Sequence, residues 1–380
     1  MKVVVLGAGL VGGPMAADLA ADGEYDVTAV DVDAAALAKL KKDHPVRTVE
    51  EDISSEGAVK RVVADCDIVI SAVPGFMGFR TLQTVIEARK NVVDIAFFAE
   101  DPFLLDETAR RSGVTAIVDC GLAPGMSNVL AGHVESLLDE TRSLAIYVGG
   151  LPEVREWPYE YRAVFSPRDV LEEYLRPARL VENGAIVLRP ALSERELIDI
   201  PGVGTLEAFN TDGLRTLART IKAANMKEKT LRYRGHAETM AVLRETGFLN
   251  REEIEVAGTR IAPLDLAAKL LSEKWFLGEG DRDITVFKLI VEGAKGGVSL
   301  RYTYDMLDRY DARTRVHSMA RTTGYAATQA VRMMAGGLFR RAGVNPPEYV
   351  GREPQCVEFM LRGLRERGIV YTQTIERPRA

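Results

Sequence analysis

Gly7, Gly9 and Gly12 in VVVLGAGLVGGPMAADLA have the GxGxxG spacing, directly between a β-branched run and a helical pattern. In that context the first glycine makes a tight turn, the second lets the backbone approach a pyrophosphate, and the third lets helix pack closely on strand. The helix N-terminus then offers unpaired N–H groups and partial positive charge to phosphates. Leu10 and Val11 complete this candidate cofactor loop. Asp31 lies 19 residues after Gly12, at the end of a second β-branched run, where a carboxylate accepts from ribose hydroxyls and favours NAD. A carboxylate ~4 Å from a 2′-phosphate costs about 4 kcal/mol per unit charge at an effective dielectric of about 20. The segment VDVDAAA supplies no Lys or Arg to offset that cost. Asp33 is the rival acceptor, with capping of the next helix as its alternative role.

The elements that must position these groups alternate along the first 120 residues. Strands are expected at Lys2–Leu6, 26–30, 67–72, 91–95 and 115–118, with a weaker one at 47–49, and helices at 12–21, 33–42, 81–89 and 103–112. Near-continuous Val, Ile and Ala runs are those of strands buried on both faces, so the alternation reads as a doubly wound parallel sheet. SAVPG, containing Ala72 and Pro74, ends one such run at the carboxyl edge where these folds bind ligands; a plain strand end is the alternative for Pro74. DCGLAPG, containing Cys120, Gly121 and Leu122, ends another at the same edge, beside the expected nicotinamide.

After Gly121 the rhythm changes. An apolar helix at 127–138 and a strand-like run at 143–152 lead into a Pro- and Gly-rich stretch from 154 to 234, read as an antiparallel sheet. Helical patterns return from 238 onward, two more strands, 285–292 and 298–304, flank the GAKGG turn, and further helical segments follow at 323–334 and 356–367. The expected fold class is α/β: a Rossmann doubly wound parallel sheet over residues 1–122, completed by C-terminal helices 318–380, plus an α+β substrate-binding and oligomerisation domain over 123–317.

Composition fits a soluble folded chain of 380 residues, with 47% apolar and 27% charged residues. The net charge of −6, with no basic run, argues against nucleic acid as a partner. No apolar stretch reaches the roughly 18 residues needed to span a bilayer, so no membrane partner is expected. Three cysteines without CxxC spacing, and no leader pattern, fit reduced thiols in a cytoplasm. His44, His133, His236 and His317 lie far apart, so no metal is expected.

With these residues in place, the chain resembles the saccharopine dehydrogenase-like family, and within it most resembles the L-lysine 6-dehydrogenases. The carrying segments are the opening glycine motif, VVDIAFFAEDPF, VDCGLAPGMSN, FNTDGLRTL, EKTLRYRGHAE and ARTTGYAATQAVRMMAGG, which together cover nearly the whole chain. The resemblance implies a nicotinamide enzyme of amino-acid metabolism, working as a homodimer or homotetramer on a small-molecule amino-acid substrate. Its lysine-specific branch oxidises the ε-amine with NAD to allysine, which cyclises, releasing ammonia. The alternatives are a saccharopine reductase-like or carboxynorspermidine dehydrogenase-like enzyme and, from another class, a non-catalytic nucleotide-binding regulatory protein.

Oxidising an amine requires a neutral nitrogen, a carbon held against the nicotinamide, and proton transfer. Candidate catalytic groups are Asp94, Cys120 and His236, with Asp119 and Asp212 beside them; each has a bland alternative, Asp94 as a cap, Cys120 as core and His236 as a structural histidine. An amino-acid zwitterion calls for a guanidinium facing its carboxylate and an acceptor for its ammonium. Asp212, Arg215 and Arg232 are the candidates. Strand alternation puts Arg232 and Arg234 on one face as a possible anion-binding wall, with a solvated charged face as the alternative.

Overall fold

The computed structural model describes residues 1–278 and 280–378. The chain forms two compact units, Met1–His133 with Ala320–Ile369, and Val134–Met319 with the chain from Val370 onward.

The first unit holds β1 (Lys2–Leu6), β2 (Asp26–Asp31), β3 (Arg47–Glu50), β4 (Ile68–Ser71), β5 (Asn91–Asp94) and β6 (Thr115–Ile117). With the strand Gly343–Asn345 they form one parallel sheet, ordered (Gly343–Asn345)-β6-β5-β4-β1-β2-β3. Val3, Val5, Leu6, Val69 and Ile70 are wholly buried, as β-branched runs covered on both faces must be. The chain winds outward from β1 to β3 and then crosses to β4 on the other side of β1. That reversal opens a crevice at the carboxyl ends of β1 and β4.

The late helices are tied to the first helix chiefly by the buried Asp18, with Asp22 pairing the same arginines at 2.7 and 3.5 Å. Asp18, on helix Gly12–Ala20, accepts from Arg332 at 2.8 Å, Arg367 at 2.6 Å and the Thr328 hydroxyl at 2.5 Å. Asp18 and Arg332 are each only 9% exposed, so neither charge can fall back on water.

The boundaries differ from the sequence reading for identifiable reasons. The first crossing falls at 133/134 rather than 122/123. The helix Met126–Leu137 begins in the first unit because its backbone touches another backbone there: a Cβ on Gly132 would lie 2.3 Å from the Glu348 carbonyl. The return falls at 319/320, since Asp283 of the second unit holds the N–H groups of Ser318 and Met319 at 2.7 and 2.8 Å. The chain end also leaves the first unit, because Thr372–Glu376 pairs with a strand of the second.

The second unit contains β7 (Glu140–Pro152), β8 (Ala178–Glu182), β9 (Ala185–Arg189), β10 (Glu196–Ile200), β11 (Gly204–Asn210), β12 (Ala223–Arg232), the small hairpin β13 (Ile254–Val256) and β14 (Thr259–Ile261), then β15 (Asp283–Lys295) and β16 (Val298–Arg309). The main order is β10-β11-β12-β7-β15-β16-(Thr372–Glu376), with β8 and β9 attached beside β12. The sheet is mixed rather than purely antiparallel. Residues 153–222 cross over, with a helix at Pro167–Leu175 that the sequence reading missed, so β12 re-enters parallel to β7. The β15–β16 hairpin turns on Gly296 and Gly297, both at positive φ, as a two-residue turn matching strand twist requires.

Replacing Asp18 with Asn should lower the stability of the first unit by about 1–3 kcal/mol, because Arg332 and Arg367 are left with only the more exposed Asp22 as counter-charge. Urea unfolding should show this, while Glu107→Gln, which breaks an exposed pair with Arg111, leaves the midpoint unchanged. Equal midpoints for both variants would refute the role given to Asp18.

Candidate functional site

Register places the cofactor candidates on one edge. Val30, Leu6, Ser71 and Asp94 stand abreast at the carboxyl ends of four adjacent strands. The glycine loop leaves β1 from that row. Gly7 has φ +94°, and a Cβ there would lie 2.6 Å from the Ala72 carbonyl; a Cβ on Gly12 would lie 1.9 Å from the Gly7 carbonyl. Side chains at either position would force the turn open. Gly9 differs, since nothing lies within 4 Å of the Cβ it lacks. Leu10 is exposed and Val11 half-buried beside it, and helix Gly12–Ala20 starts directly after.

Asp31 is held towards this loop. Its Oδ2 accepts the Ala8 N–H at 2.6 Å and its Oδ1 the Asp33 N–H at 2.9 Å. Each carboxylate oxygen retains a further lone pair for a hydroxyl donor. Asp33 instead caps the following helix through the N–H groups of Ala35 and Ala36. Ala72 continues β4 by donating to the Leu6 carbonyl at 2.8 Å, and Pro74 precedes helix Gly75–Glu87.

Asp94 and Cys120 meet at the same edge: the Cys120 N–H donates to the Asp94 carbonyl at 2.9 Å, and both side chains are buried. Burial, then the negative charges of Asp94 and Asp119, push the Cys120 thiol up to about 12. At neutral pH Cys120 is therefore an un-ionised core thiol rather than an acid–base group. Gly121 and Leu122 belong to a loop closed on itself. The Gly121 carbonyl accepts from Met126, the Leu122 carbonyl from Ser127, and Asn128 bridges the Gly125 N–H to the buried Glu348 carboxylate.

The second unit gathers the remaining candidates around β12, where the sequence reading needs correction. Arg232 and Arg234 form no shared wall. The strand ends at Arg232, and Arg234 is exposed in the turn before helix His236–Glu245. Arg232 is buried, stacked 4.4 Å from the Tyr161 ring centre, and donates to Glu173 Oε2 at 2.9 Å and the Leu231 carbonyl at 3.0 Å. It is thus half of an ion pair, not a ready anion ligand.

His236 is no neutral-range proton carrier. The Tyr159 carbonyl 2.9 Å from its Nδ1 can only accept, so Nδ1 bears the proton and Nε2 accepts from the Tyr174 hydroxyl at 2.9 Å. Burial and the Arg232 charge lower its pKa to about 3. Its ring packs with Tyr161, Tyr174 and Trp275, so Tyr161 belongs to this buried cluster while Trp157 is exposed.

Asp212 is taken by Arg179 through two contacts of 2.7 Å. Arg215 is buried at positive φ near Arg176, whose pKa falls first through burial and then through the Arg215 charge.

Glu173, Arg179 and Glu228 escaped the sequence reading. Glu228 Oε2 accepts the Thr211 hydroxyl at 2.6 Å and the Gly213 N–H at 3.1 Å, clamping both sides of Asp212. Burial raises its pKa to about 8, against the hydrogen bond from Thr211. One signal was available: Glu228, Thr230 and Arg232 alternate on one face of a strand, and in β12, which lies between β11 and β7, that face is buried. No group of three or more His, Cys, Asp or Glu suited to a metal ion occurs among the described residues. No helix among them is long and apolar enough to cross a membrane.

A Glu228 pKa of about 8 in the folded chain lies above the ordinary 4.5, so folding takes up a proton between those values. The group's contribution to stability is full below about pH 4.5 and is lost as pH rises through about 8. Glu228→Gln should remove this slope and gain on the native protein by on the order of a few kcal/mol between about pH 5 and 9. Urea unfolding across that range checks it, and parallel pH curves for the two proteins would exclude a protonated Glu228.

A family model described as the saccharopine dehydrogenase NADP binding domain matches residues 3–117, and one described as the saccharopine dehydrogenase C-terminal domain matches residues 121–369. The mitochondrial alpha-aminoadipic semialdehyde synthase of Mus musculus is 27% identical over 278 residues, covering 69% of this chain and 30% of that protein. Saccharopine dehydrogenase [NADP(+), L-glutamate-forming] of Saccharomyces cerevisiae is 26% identical over 276 residues, covering 69% of this chain and 61% of the relative. The chain thus spans less than two thirds of the length of either. Carboxyaminopropylagmatine dehydrogenase of Synechocystis sp. is 23% identical over 402 residues, covering 99% of this chain and 98% of that one. The fold is similar to that of the apo saccharopine dehydrogenase (L-Glu forming) from Saccharomyces cerevisiae, with TM-score 0.80, 20% identity and 99% of each chain covered. With both domain matches in register along its two halves, the chain belongs to the saccharopine dehydrogenase family.

Proposed function

We propose that this chain is an NAD-dependent amine dehydrogenase that oxidises L-lysine at its ε-carbon, releasing ammonia and leaving an aldehyde that cyclises. Membership of the family supports a nicotinamide oxidoreductase, and its curated relatives are named for amine-bearing substrates. The observation that carries the choice of a monocarboxylate is the pairing of Arg232 with Glu173 and Arg179 with Asp212. Acidic charge accompanies the basic charge, which suits a zwitterion better than the extra carboxylates of saccharopine.

Asp31, whose carboxylate accepts from the glycine-loop residue Ala8, supports NAD rather than NADP. A 2′-phosphate there would meet repulsion of about 4 kcal/mol at ~4 Å and an effective dielectric of about 20. The yeast relative is named for NADP(+), so cofactor choice must be measured on this chain. The residues fit a nicotinamide dinucleotide: the space beside Gly9 is open, and the helix after it starts without a side-chain cap, its positive end facing the loop. The bound cofactor would supply the hydride acceptor. The protein's share is to hold the phosphates at 7–12, read the ribose through Asp31, and orient the amine.

A second reading, a dehydrogenase making or breaking a secondary amine, is favoured by the end-to-end match to carboxyaminopropylagmatine dehydrogenase. The purified protein should reduce NAD with L-lysine, with kcat/KM at least ten-fold higher for NAD than for NADP. Lysine labelled at the ε-nitrogen should release labelled ammonia. Retention of that label in the product would place oxidation at the α-carbon, and turnover confined to saccharopine or carboxyaminopropylagmatine would install the second reading.

The loop geometry separates binding from folding. Gly9→Val should leave the melting temperature near that of the native protein, since the added side chain enters open space, yet weaken NAD at least ten-fold by filling the pyrophosphate's approach. Gly12→Ala, driven against the Gly7 carbonyl, should lower the melting temperature. Undiminished NAD affinity in folded Gly9→Val would remove this loop from the cofactor site.

A further inference from the structure

We propose that Glu173 accepts the ammonium on the α-carbon of the substrate's lysine portion, and that Arg232 is the residue positioning it. The proposal rests on the amino-acid reading above and names the group within the second unit that recognises the amine end.

Geometry sets the roles. The Arg232 side chain is 4% exposed, whereas that of Glu173 is 29% exposed. A guanidinium so enclosed cannot turn outward to an incoming carboxylate, and it requires a fixed counter-charge. Helix Pro167–Leu175 provides one: Glu173 Oε2 takes the Arg232 bond at 2.9 Å, and Tyr161 stacks beneath the guanidinium. The bond immobilises the carboxylate by one oxygen. Its other oxygen, Oε1, makes no hydrogen bond and is not enclosed among the described residues. A carboxylate locked at one oxygen and open at the other is a preorganised acceptor, and an ammonium meeting it in partly desolvated surroundings forms a charge-assisted hydrogen bond.

Charged and polar groups from two elements face Glu173. Asp169 lies one helical turn before it on the same face, and Glu228 faces it from β12. Arg232 on β12 and Arg176 at the end of its own helix oppose them, with the un-ionised hydroxyls of Tyr161 and Tyr174 alongside. Glu228 is protonated at neutral pH and adds no charge, so the choice of an ammonium rests on the open Oε1, which can only accept a hydrogen bond.

The test compares L-lysine with 6-aminohexanoate, the same chain without the α-ammonium, using full-length protein saturated with NAD. The native protein should prefer lysine at least ten-fold in kcat/KM. Glu173→Gln should abolish that preference by raising the KM for lysine, with kcat within about three-fold, 6-aminohexanoate kinetics unchanged and NAD affinity unchanged. Arg232→Met should reduce the preference in the same direction, and Arg232→Lys should restore part of it. Equal loss for both substrates would mean a structural role and overturn the proposal. So would a native protein that does not discriminate between them, a result independent of whether any variant folds. If only saccharopine is turned over, the lysine reading fails; saccharopine and its analogue lacking the lysine-side ammonium then form the pair, judged by the same criteria. A protein that neither binds nor turns over any of these compounds refutes the functional reading and this assignment together.

Discussion

A buried guanidinium organises the second unit. Arg232 ends a strand flanked by β11 and β7, so its charge has no path to water, and an uncompensated ion there would cost several kcal/mol. The surroundings answer that constraint. Glu173 supplies the counter-charge, Tyr161 a ring face, and the Leu231 carbonyl an acceptor. The same positive charge helps keep His236 neutral, which fixes its tautomer and lets it tie the Tyr174 hydroxyl to the Tyr159 backbone. One residue thereby links a helix, a strand and an irregular segment.

The first unit solves a related problem in another place. Asp18 gathers two arginines from segments more than 300 residues away, so the buried ionic contact is also the tie that brings the late helices onto the early sheet. The glycine loop at the other end of helix Gly12–Ala20 is shaped instead by steric contact, with carbonyl oxygens lying where side chains would otherwise be. The helix is thus fixed at both ends by different forces. Its N-terminus carries no side-chain cap and starts beside open space at Gly9, while its last turn is neutralised by the arginines.

The unit boundaries follow the same logic. Met126–Leu137 begins in the first unit because backbone meets backbone at Gly132. Ser318–Ala335 begins in the second because the buried Asp283 holds its first N–H groups. Burial raises the pKa of Asp283, and the hydrogen bonds from Met319 and Ser318 oppose the shift. Neither contact leaves a mark in local composition.

The sequence by itself determined the parallel sheet, the glycine loop, Asp31 at the end of β2 and Asp33 as a helix cap, because each follows from local spacing and from which backbone angles and hydrogen bonds neighbouring residues allow. It also carried the family, through segments spread from end to end. Only the tertiary structure decided which charged groups neutralise one another. Arg232 was legible as a basic residue on a strand but not as the partner of Glu173, 59 positions earlier on a helix that periodicity did not reveal. Asp212 read as an acceptor until Arg179 arrived from β8, and His236 read as a proton carrier until burial removed its charge. Whether an ionisable side chain binds a ligand, anchors another residue or stays neutral depends on its desolvation and its nearest charges. Those are set by contacts between segments distant along the chain.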